Sequence, residues 1–289
     1  MMRSVRSLSY EGTISLNQNL TFEYTKNHFI RAGLAFDDVH MNIMGMKKGG
    51  LYTNLGFLFS DQCDFQIKAA SFANGRRLGF RDRSEISGSV LKQFDDAMDF
   101  VHKHDVTSSE IVGTKRRDMT GYPVEAVREL LLNAIVHRDY NSVGNSLISI
   151  CDDSLEIVSP GRPVENISEK DLIKGVSFPR NRRLSEVFYR LGLVEAYGTG
   201  IPRVYGLYEG SGRMPEMDIS GPVFRVTLFR RDMGESDLSD TFTRSEFESE
   251  MKMSKSRANM ELRRLMSEGS VERIGNGKNT VYRRVRHDP

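Results

Sequence analysis

The chain has 289 residues, of which 38% are hydrophobic and 28% charged, and its mean hydropathy is −0.44. This length suggests two or three domains, and no apolar run approaches the roughly 18 residues that a membrane-spanning helix needs. The first residues carry charge without an apolar core, so we expect no secretion signal. Cys63 and Cys151 lack the spacing of a zinc site, which predicts reduced, buried thiols in a cytoplasmic protein.

The net charge of +2 is distributed unevenly along the chain. The stretch 243–289 holds eleven Lys or Arg and seven Asp or Glu, a net of +4, so the remaining residues carry −2. A basic C-terminal stretch after a slightly acidic body favours nucleic-acid binding.

Residues 1–117 are predicted to form an N-terminal α+β segment. The apolar run 55–59 and the loosely alternating run 65–70 predict two strands. Across 87–103, apolar residues recur at helical spacing, which predicts one helix with a buried face. We find no internal repeats.

The second segment, 118–231, begins with a predicted helix over 123–137, which Pro123 suits because its missing N–H would have no partner there. Glu129 and Asn133 are one turn apart, on a different stripe from the apolar residues. A carboxylate beside a carboxamide oxygen can hold a hydrated magnesium ion, which takes its other ligands from substrate phosphates. For such a pair alone, a solvated polar face is the alternative.

The rest of this segment alternates predicted strands and helices. Strands at 147–151 and 155–158 flank a tight hairpin, and a capping box of Ser168 and Asp171 predicts a short helix. We predict helices at 184–191 and 201–208 and a last strand at 223–229.

A glycine turn precedes the helix predicted at 201–208. It consists of Gly198, Thr199 and Gly200. Glycines let the backbone approach a ligand closely, and free N–H groups at a helix start attract phosphate. The chain contains no Walker-type phosphate-binding loop, which excludes a P-loop motor.

The order of these features resembles the Bergerat ATP-binding fold of the gyrase, chaperone and histidine-kinase ATPases, a two-layer α/β sandwich. The stretches 129–140, 155–161, 178–181 and 197–201 together look like the C-terminal, GHKL-like ATP-binding domain of RecG-like helicases and transcriptional regulators. The resemblance covers 118–230 and implies an α/β (α+β) fold with ATP and Mg²⁺ as cofactors. In such proteins an AlbA-like, Schlafen-type nucleic-acid module usually comes first, and the N-terminal segment resembles only its latter part.

The resemblance also implies roles for individual residues. Asn133 would contact magnesium, and Glu129 would orient or deprotonate the attacking water. The two glycine turns would meet adenine and the phosphates, the first at Gly161 and the second at Gly198, Thr199 and Gly200.

Ser159 departs from the broader Bergerat pattern. The family has an aspartate two residues before the first glycine, where it accepts a hydrogen bond from the adenine amino group. A hydroxyl is a weaker acceptor, since charge-assisted hydrogen bonds are roughly twice as strong as neutral ones. Asp153 is too far back in the strand to replace it. The sequence therefore leaves adenine preference open.

Two further features each have two interpretations. The stretch from His137 to Tyr140 follows the Asn133 helix, and it is either a capped helix end with favourable charges near the helix dipole or a wall of the phosphate pocket. Arg180 lies beside Asn181 in a predicted lid. It is either a mobile clamp, because a planar guanidinium suits phosphate oxygens, or an ordinary surface arginine.

A polar stretch at 231–240 predicts a linker to a small C-terminal domain, 241–289. Its pattern predicts three helices and then a two-stranded hairpin, which resembles a winged helix–turn–helix. In that fold a recognition helix enters the major groove and the wing contacts phosphate or the minor groove. An interaction or dimerisation domain is the alternative. The candidate contacts to double-stranded DNA are Arg257, Arg263, Arg264, Lys278 and Arg283.

Three functional hypotheses follow. The first is a nucleotide-responsive, DNA-binding transcriptional regulator. The second is a weak Mg²⁺-dependent ATPase accessory to DNA processing or repair, without the paired motor cores of an autonomous helicase. The third is a degenerate nucleotide fold used as a scaffold, which Ser159 favours. We expect no membrane partner, and a homodimer stays open because no apolar stripe predicts one.

Overall fold

The computed structural model describes residues 9–73, 79–105, 108–112, 115–163, 167–195, 198–211, 213–231, 241–250, 254–267, 271–275 and 280–284. The chain divides into two compact units, Met1–Arg231 and Asp232–Pro289. The boundary expected near residue 117 lies inside the first unit, and the expected linker lies outside the described residues except for Arg231. Among the helices described, none combines the length and apolar character that a membrane span requires.

The first unit begins with short helices around a small hairpin. In chain order these elements are a 3-10 helix Tyr10–Gly12, α1 Glu23–Arg31, α2 Asp38–Met44, β1 Lys47–Lys48, β2 Leu51–Tyr52 and α3 Asn54–Phe59. The side chain of Asp37 accepts a hydrogen bond from the backbone N–H of His40 and so caps α2.

The prediction of a strand at 55–59 is wrong, because this run forms α3. Thr53 caps the helix by accepting from the N–H of Gly56. Leu55, Leu58 and Phe59 are fully buried at helical spacing. A short apolar run fits a buried helix as well as a buried strand, so periodicity alone could not separate them.

The remainder of the first unit builds a mixed α/β fold, as the sequence predicts. Its elements are β3 Ile67–Phe72, β4 Phe80–Ile86, α4 Val90–His104, β5 Ser108–Val112, β6 Lys115–Met119, α5 Val124–Val136, β7 Ser146–Ile150, β8 Ser154–Pro160, α6 Glu169–Ile173, α7 Arg182–Arg190, α8 Gly200–Gly206, β9 Glu216–Asp218 and β10 Val223–Phe229. The capping box predicted at Ser168 and Asp171 is confirmed at the start of α6.

Six strands form the main sheet in the order β4-β3-β7-β8-β10-β9. β3 and β7 run parallel, with Ile67 opposite Ser146, and the other neighbours are antiparallel. Strands from both predicted segments therefore share one sheet.

One face of this sheet is apolar and packs against helices. Ile157 pairs with Val226 and Leu155 with Leu228 across β8 and β10, and all four side chains are buried. The opposite face is polar and carries three ion pairs, namely Lys68–Glu85, Arg225–Glu156 and Arg225–Asp218. Alternation along the strands separates the two faces.

The second unit contains β11 Thr241–Thr243, α9 Arg244–Glu250, α10 Lys255–Ser267, β12 Val271–Ile274 and β13 Val281–Arg284. The strands form a sheet in the order β11-β13-β12 around a small core that includes Phe242, Phe247 and Leu262. The sequence predicted three helices, but the described residues hold two and an additional strand. Phe242 lies between two threonines, so this strand turns its one aromatic side chain into the core while it pairs with β13.

Candidate nucleotide site

A cavity of about 640 Å³ in the first unit is bordered by α5, α6, α7 and α8. Its volume is in the range of small-ligand pockets. Seven of the nine nucleotide-site residues predicted from sequence contribute to its lining, namely Glu129, Asn133, His137, Gly161, Arg180, Gly198 and Gly200. Ser159 and Thr199 do not contribute.

Glu129 and Asn133 lie one turn apart on α5 and contact each other. Nδ2 of Asn133 donates to the backbone carbonyl of Glu129 at 2.9 Å and to its Oε1 at 3.3 Å. Burial raises the pKa of Glu129, although the charges of Arg203 and Arg128 oppose that shift. A carboxylate with a raised pKa beside a cavity has the properties of a general base.

The glycine turn at 198–200 packs against Glu129 through Gly200 and against Gly175 through Gly198. A Cβ on Gly200 would lie 1.9 Å from Oε1 of Glu129, and a Cβ on Gly198 would lie 2.1 Å from the carbonyl oxygen of Gly175. Gly198 also has a φ of +67°, which other residues rarely adopt. Only glycine allows the backbone to come this close to Glu129.

Gly161, which also lines the cavity, likewise allows a close approach of two backbone segments. Its φ is +107°, and a Cβ there would lie 2.9 Å from Cβ of Asp139. The N–H of Asp139 donates to the carbonyl of Pro160 at 2.8 Å. The segment after α5 therefore folds back against the end of β8.

Arg180 also lines the cavity and has two partners. Its Nη2 donates to the carbonyl of Arg162 at 2.7 Å, and its Nη1 is 3.5 Å from Oδ2 of Asp139. The side chain is 24% exposed. Arg180 thus forms part of the cavity wall, and a ligand phosphate bound through either Nη atom would compete with these interactions.

Residues 137–140 were interpreted either as a capped helix end or as a wall of the phosphate pocket, and the structure shows features of both. His137 is the C-cap of α5 and lines the cavity. Burial and the nearby Arg180 guanidinium lower the pKa of His137 to about 4, so at neutral pH it adds no charge near the helix end. Arg138 is buried away from the cavity, where its guanidinium donates to the carbonyls of Gln66 and Gly144.

The hydroxyls of Ser159 and Thr199 each donate a hydrogen bond to another group of the protein. Oγ of Ser159, 2% exposed, donates to the carbonyl of Ala134 at 2.7 Å, because strand alternation turns this side chain towards α5. Oγ1 of Thr199 donates to Oε2 of Glu195 at 3.0 Å. Both hydroxyls are thus already engaged within the protein, and the nucleotide contacts expected at Ser159 and Thr199 stay predictions.

Two residues without a predicted role hold α7, which forms one wall of the cavity. Nδ2 of Asn181, 3% exposed, donates to the carbonyls of Val136 and Arg138 at the end of α5. The buried carboxylate of Glu11 accepts from the N–H groups of Arg183 and Leu184 at 2.9 and 3.0 Å. Asn181 stands next to Arg180 in the recognised motif, but Glu11 is too distant in sequence for any local pattern to indicate it.

The donor set in the cavity suits a metal bound mainly by other ligands. No group of three or more His, Cys, Asp or Glu able to hold a metal occurs among the described residues. Asn133 and Glu129 offer an amide oxygen and a carboxylate on one helix face. Magnesium fits such a site, because it keeps several waters and is usually held by few protein groups together with substrate phosphates.

The predicted DNA contacts belong to the second unit. Arg263 is exposed on α10, and Arg283 on β13 pairs with Glu272 across the hairpin. Lys278 lies outside the described residues, as do the side chains of Arg257 and Arg264 on α10.

Comparison with known proteins supports an ATPase-type domain. Residues 145–228 match the family model described as "Putative ATP-dependent DNA helicase recG C-terminal". The match begins after α5, so Glu129 and Asn133 lie before it. No curated protein matches the chain.

A solved structure shares the fold. It is the crystal structure of the DIP2311 protein from Corynebacterium diphtheriae, with a TM-score of 0.67 and 18% sequence identity, and the superposition covers 96% of this chain. It covers 64% of that protein, so the present chain spans less than two thirds of its length. Residues 145–228 are therefore similar to the RecG C-terminal family, within an α/β fold that DIP2311 also has.

Proposed function

We propose that the first unit binds ATP together with Mg²⁺ in the cavity beside α5. The observation that carries this proposal is that Glu129 and Asn133 open into the same cavity as the glycines at 161, 198 and 200. The family match at 145–228, whose description names an ATP-dependent protein, supports a nucleotide as the ligand.

The cavity residues suggest how such a ligand would be held. The amide oxygen of Asn133 would bind the metal, and the side-chain-free backbone at Gly198 and Gly200 would admit phosphate oxygens. The bound metal would neutralise phosphate charge. Glu129, whose pKa burial raises, would accept a proton from an attacking water if hydrolysis occurs.

A titration of Mg²⁺ and ATP tests the proposal in three variants. Asn133→Ala should lose the ATP-dependent rise in melting temperature, because the metal loses its amide ligand. Glu129→Gln should bind but release phosphate at least tenfold more slowly, since the general base is removed. Glu125→Gln is the matched control, because Glu125 is exposed one turn earlier on α5 and does not line the cavity. Equal melting shifts in wild type and Asn133→Ala would contradict the proposal.

We also propose that the second unit binds duplex DNA as a winged helix, which makes the protein a nucleotide-dependent DNA-binding regulator. Two helices followed by a hairpin, the +4 charge of 243–289 and the exposed Arg263 support this. An ATPase accessory to DNA processing is the second candidate, which the family description favours. DNA-stimulated phosphate release would select the accessory ATPase, and nucleotide binding without turnover would select the regulator.

A further inference from the structure

The second unit contains a cleft of about 640 Å³ that is separate from the nucleotide cavity. It lies between α10 and the β12–β13 hairpin and is bordered by the start of α9. Three of its lining residues are arginines, Arg244, Arg263 and Arg273, and none of the described lining residues is Asp or Glu. A cleft whose charged lining residues are all positive points to an anionic ligand.

The strand register explains why Arg273 reaches this cleft. Arg273 on β12 lies opposite Tyr282 on β13, and Tyr282 lies opposite Phe242 on β11. Phe242 is buried in the core, so this row of side chains lies on the face of the sheet that packs inward. The neighbouring cross-strand pair, Glu272 and Arg283, projects from the opposite face and forms an ion pair there.

The helix spacing brings Arg263 to the same place. Asn259, Arg263 and Met266 are four and three residues apart, so they form one stripe of α10, and all three line the cleft. Arg263 is exposed, and its guanidinium is therefore accessible to a ligand from solvent.

Within the part of the chain that the structure describes, the positive charges of these arginines are only partly compensated. Arg244 has a carboxylate partner, with its Nε 2.8 Å from Oε1 of Glu248. Nη2 of Arg273 donates to the neutral Oγ1 of Thr280 at 3.4 Å. Bringing guanidinium groups together in one cleft costs free energy that an anion would offset.

We propose that this cleft binds a phosphate group, held mainly by Arg263 and Arg273. The planar guanidinium donates two parallel hydrogen bonds to phosphate oxygens, and the cleft adds the Ser245 hydroxyl and the Asn259 amide as further donors. The phosphate belongs either to a DNA backbone, in which case the inference rests on the proposed DNA binding, or to a free phosphate-bearing molecule.

The test uses the full chain as wild type and as Arg263→Ala, Arg273→Ala, Arg283→Ala and Arg31→Ala. Binding to a fluorescent 20-base-pair duplex is followed by anisotropy between about 50 and 200 mM salt, and binding of inorganic phosphate by calorimetry. Arg31 is an exposed arginine on α1 in the first unit and serves as the charge-matched control.

We expect Arg263→Ala and Arg273→Ala each to weaken duplex binding at least fivefold and to reduce the salt slope by about 1, as the loss of one phosphate contact does. Arg31→Ala should change binding less than twofold. A third result is also informative: the wild type binds phosphate but not DNA, and both cleft variants lose phosphate binding. This would support phosphate binding in the cleft and reject the proposed DNA binding.

Two results would overturn the proposal that this cleft binds phosphate. One is duplex binding that is unchanged in both cleft variants but weakened by Arg283→Ala, with no phosphate binding by calorimetry, because DNA contact would then use the opposite face of the hairpin. The other is the absence of any wild-type binding to either probe.

Discussion

At the scale of single residues, the position of Glu129 depends on the absence of a side chain at residue 200. A Cβ on Gly200 would lie 1.9 Å from its carboxylate oxygen and 2.6 Å from its Cδ. The clash is with the outer atoms of the Glu129 side chain, so an alanine at residue 200 would push this carboxylate into the cavity that it lines. The glycine turn thus fixes the carboxylate as well as leaving space for a ligand.

Gly200→Ala tests this dependence. We expect at least a tenfold loss in Mg²⁺–ATP affinity by calorimetry, because the displaced Glu129 side chain would enter the space that the ligand needs. Gly206→Ala, at the other end of α8, is the control, since nothing lies within 4 Å of a Cβ there. It should bind normally, and alanine should add about 0.4–1 kcal/mol of stability, because it has fewer conformations than glycine in the unfolded chain and Gly206 does not have a positive φ. Equal affinities in the two variants would contradict the steric argument.

The lowered pKa of His137 predicts that the stability of the protein depends on pH. Its pKa in the folded protein is about 4, against 6.5 for the free side chain. Between these values the unfolded chain binds a proton that the folded chain excludes, so stability falls as the pH drops from 6.5 towards 4. His137→Gln should remove this contribution, which reaches about 2 kcal/mol at pH 5.

Urea unfolding of wild type and His137→Gln at pH 7.5 and pH 5 measures the difference. Glu11 and Glu129 have raised pKa values and contribute in the opposite direction, with stability that is lost as the pH rises through those values. Their contribution is common to both proteins, so the difference between the two isolates the imidazole. A difference that does not change with pH would show that His137 protonates as easily in the folded protein as in the unfolded one.

At the scale of elements, α7 is positioned by side chains from two other parts of the chain. Glu11 accepts hydrogen bonds from the first N–H groups of α7, and Asn181, just before the helix, binds the end of α5. α7 in turn contributes Ser185, Glu186 and Tyr189 to the cavity lining. The N-terminal residues therefore help to shape a cavity whose other walls come from residues more than 100 positions later.

Glu11→Ala should destabilise the protein by about 1–3 kcal/mol, because one buried and one partly buried N–H group lose their acceptor. Glu11→Gln should cost less, since an amide oxygen can still accept one of these hydrogen bonds. Glu23→Ala, at an exposed position in the first turn of α1, should change stability by less than about 0.5 kcal/mol. Denaturant unfolding measures all three, and equal effects of Glu11→Ala and Glu23→Ala would exclude a capping role for Glu11.

The elements also show which parts of the fold could be predicted. The strands β7, β8 and β10 and the helix α5 have clear periodicity and end at glycine, proline or polar turns, and the predictions placed each of their ends within two residues. α3 was mistaken for a strand, because a run of four large apolar residues and one glycine satisfies both patterns. The Glu129–Asn133 pair was predicted from its spacing of one turn together with the resemblance of the following segments to a known family, whereas the contacts of Glu11 form only after folding.

At the scale of the whole molecule, the pairing of β3 with β7 makes one continuous sheet of the two predicted segments of the first unit. This parallel pair joins a strand from the N-terminal segment to the strands of the family-matched region, and its register runs from Ile67 opposite Ser146 to Ser71 opposite Ile150. Buried Arg138 adds to the junction by donating to the carbonyl of Gln66, just before β3. The sequence predicted a domain boundary between these parts, because the resemblance to a known family begins near residue 118.

This continuity predicts that the fragment 118–231 does not fold alone. Without β3 and β4, the edge of β7 would be unpaired and Ile148, now 1% exposed, would lose part of its cover. The fragment 9–231 keeps all six strands and should melt in one cooperative transition with Mg²⁺–ATP binding intact. Circular dichroism melting and calorimetry on the two fragments compare them directly. Cooperative melting of 118–231 with wild-type nucleotide affinity would show that the N-terminal strands are accessory, and the cavity would then depend only on contacts within the later segment.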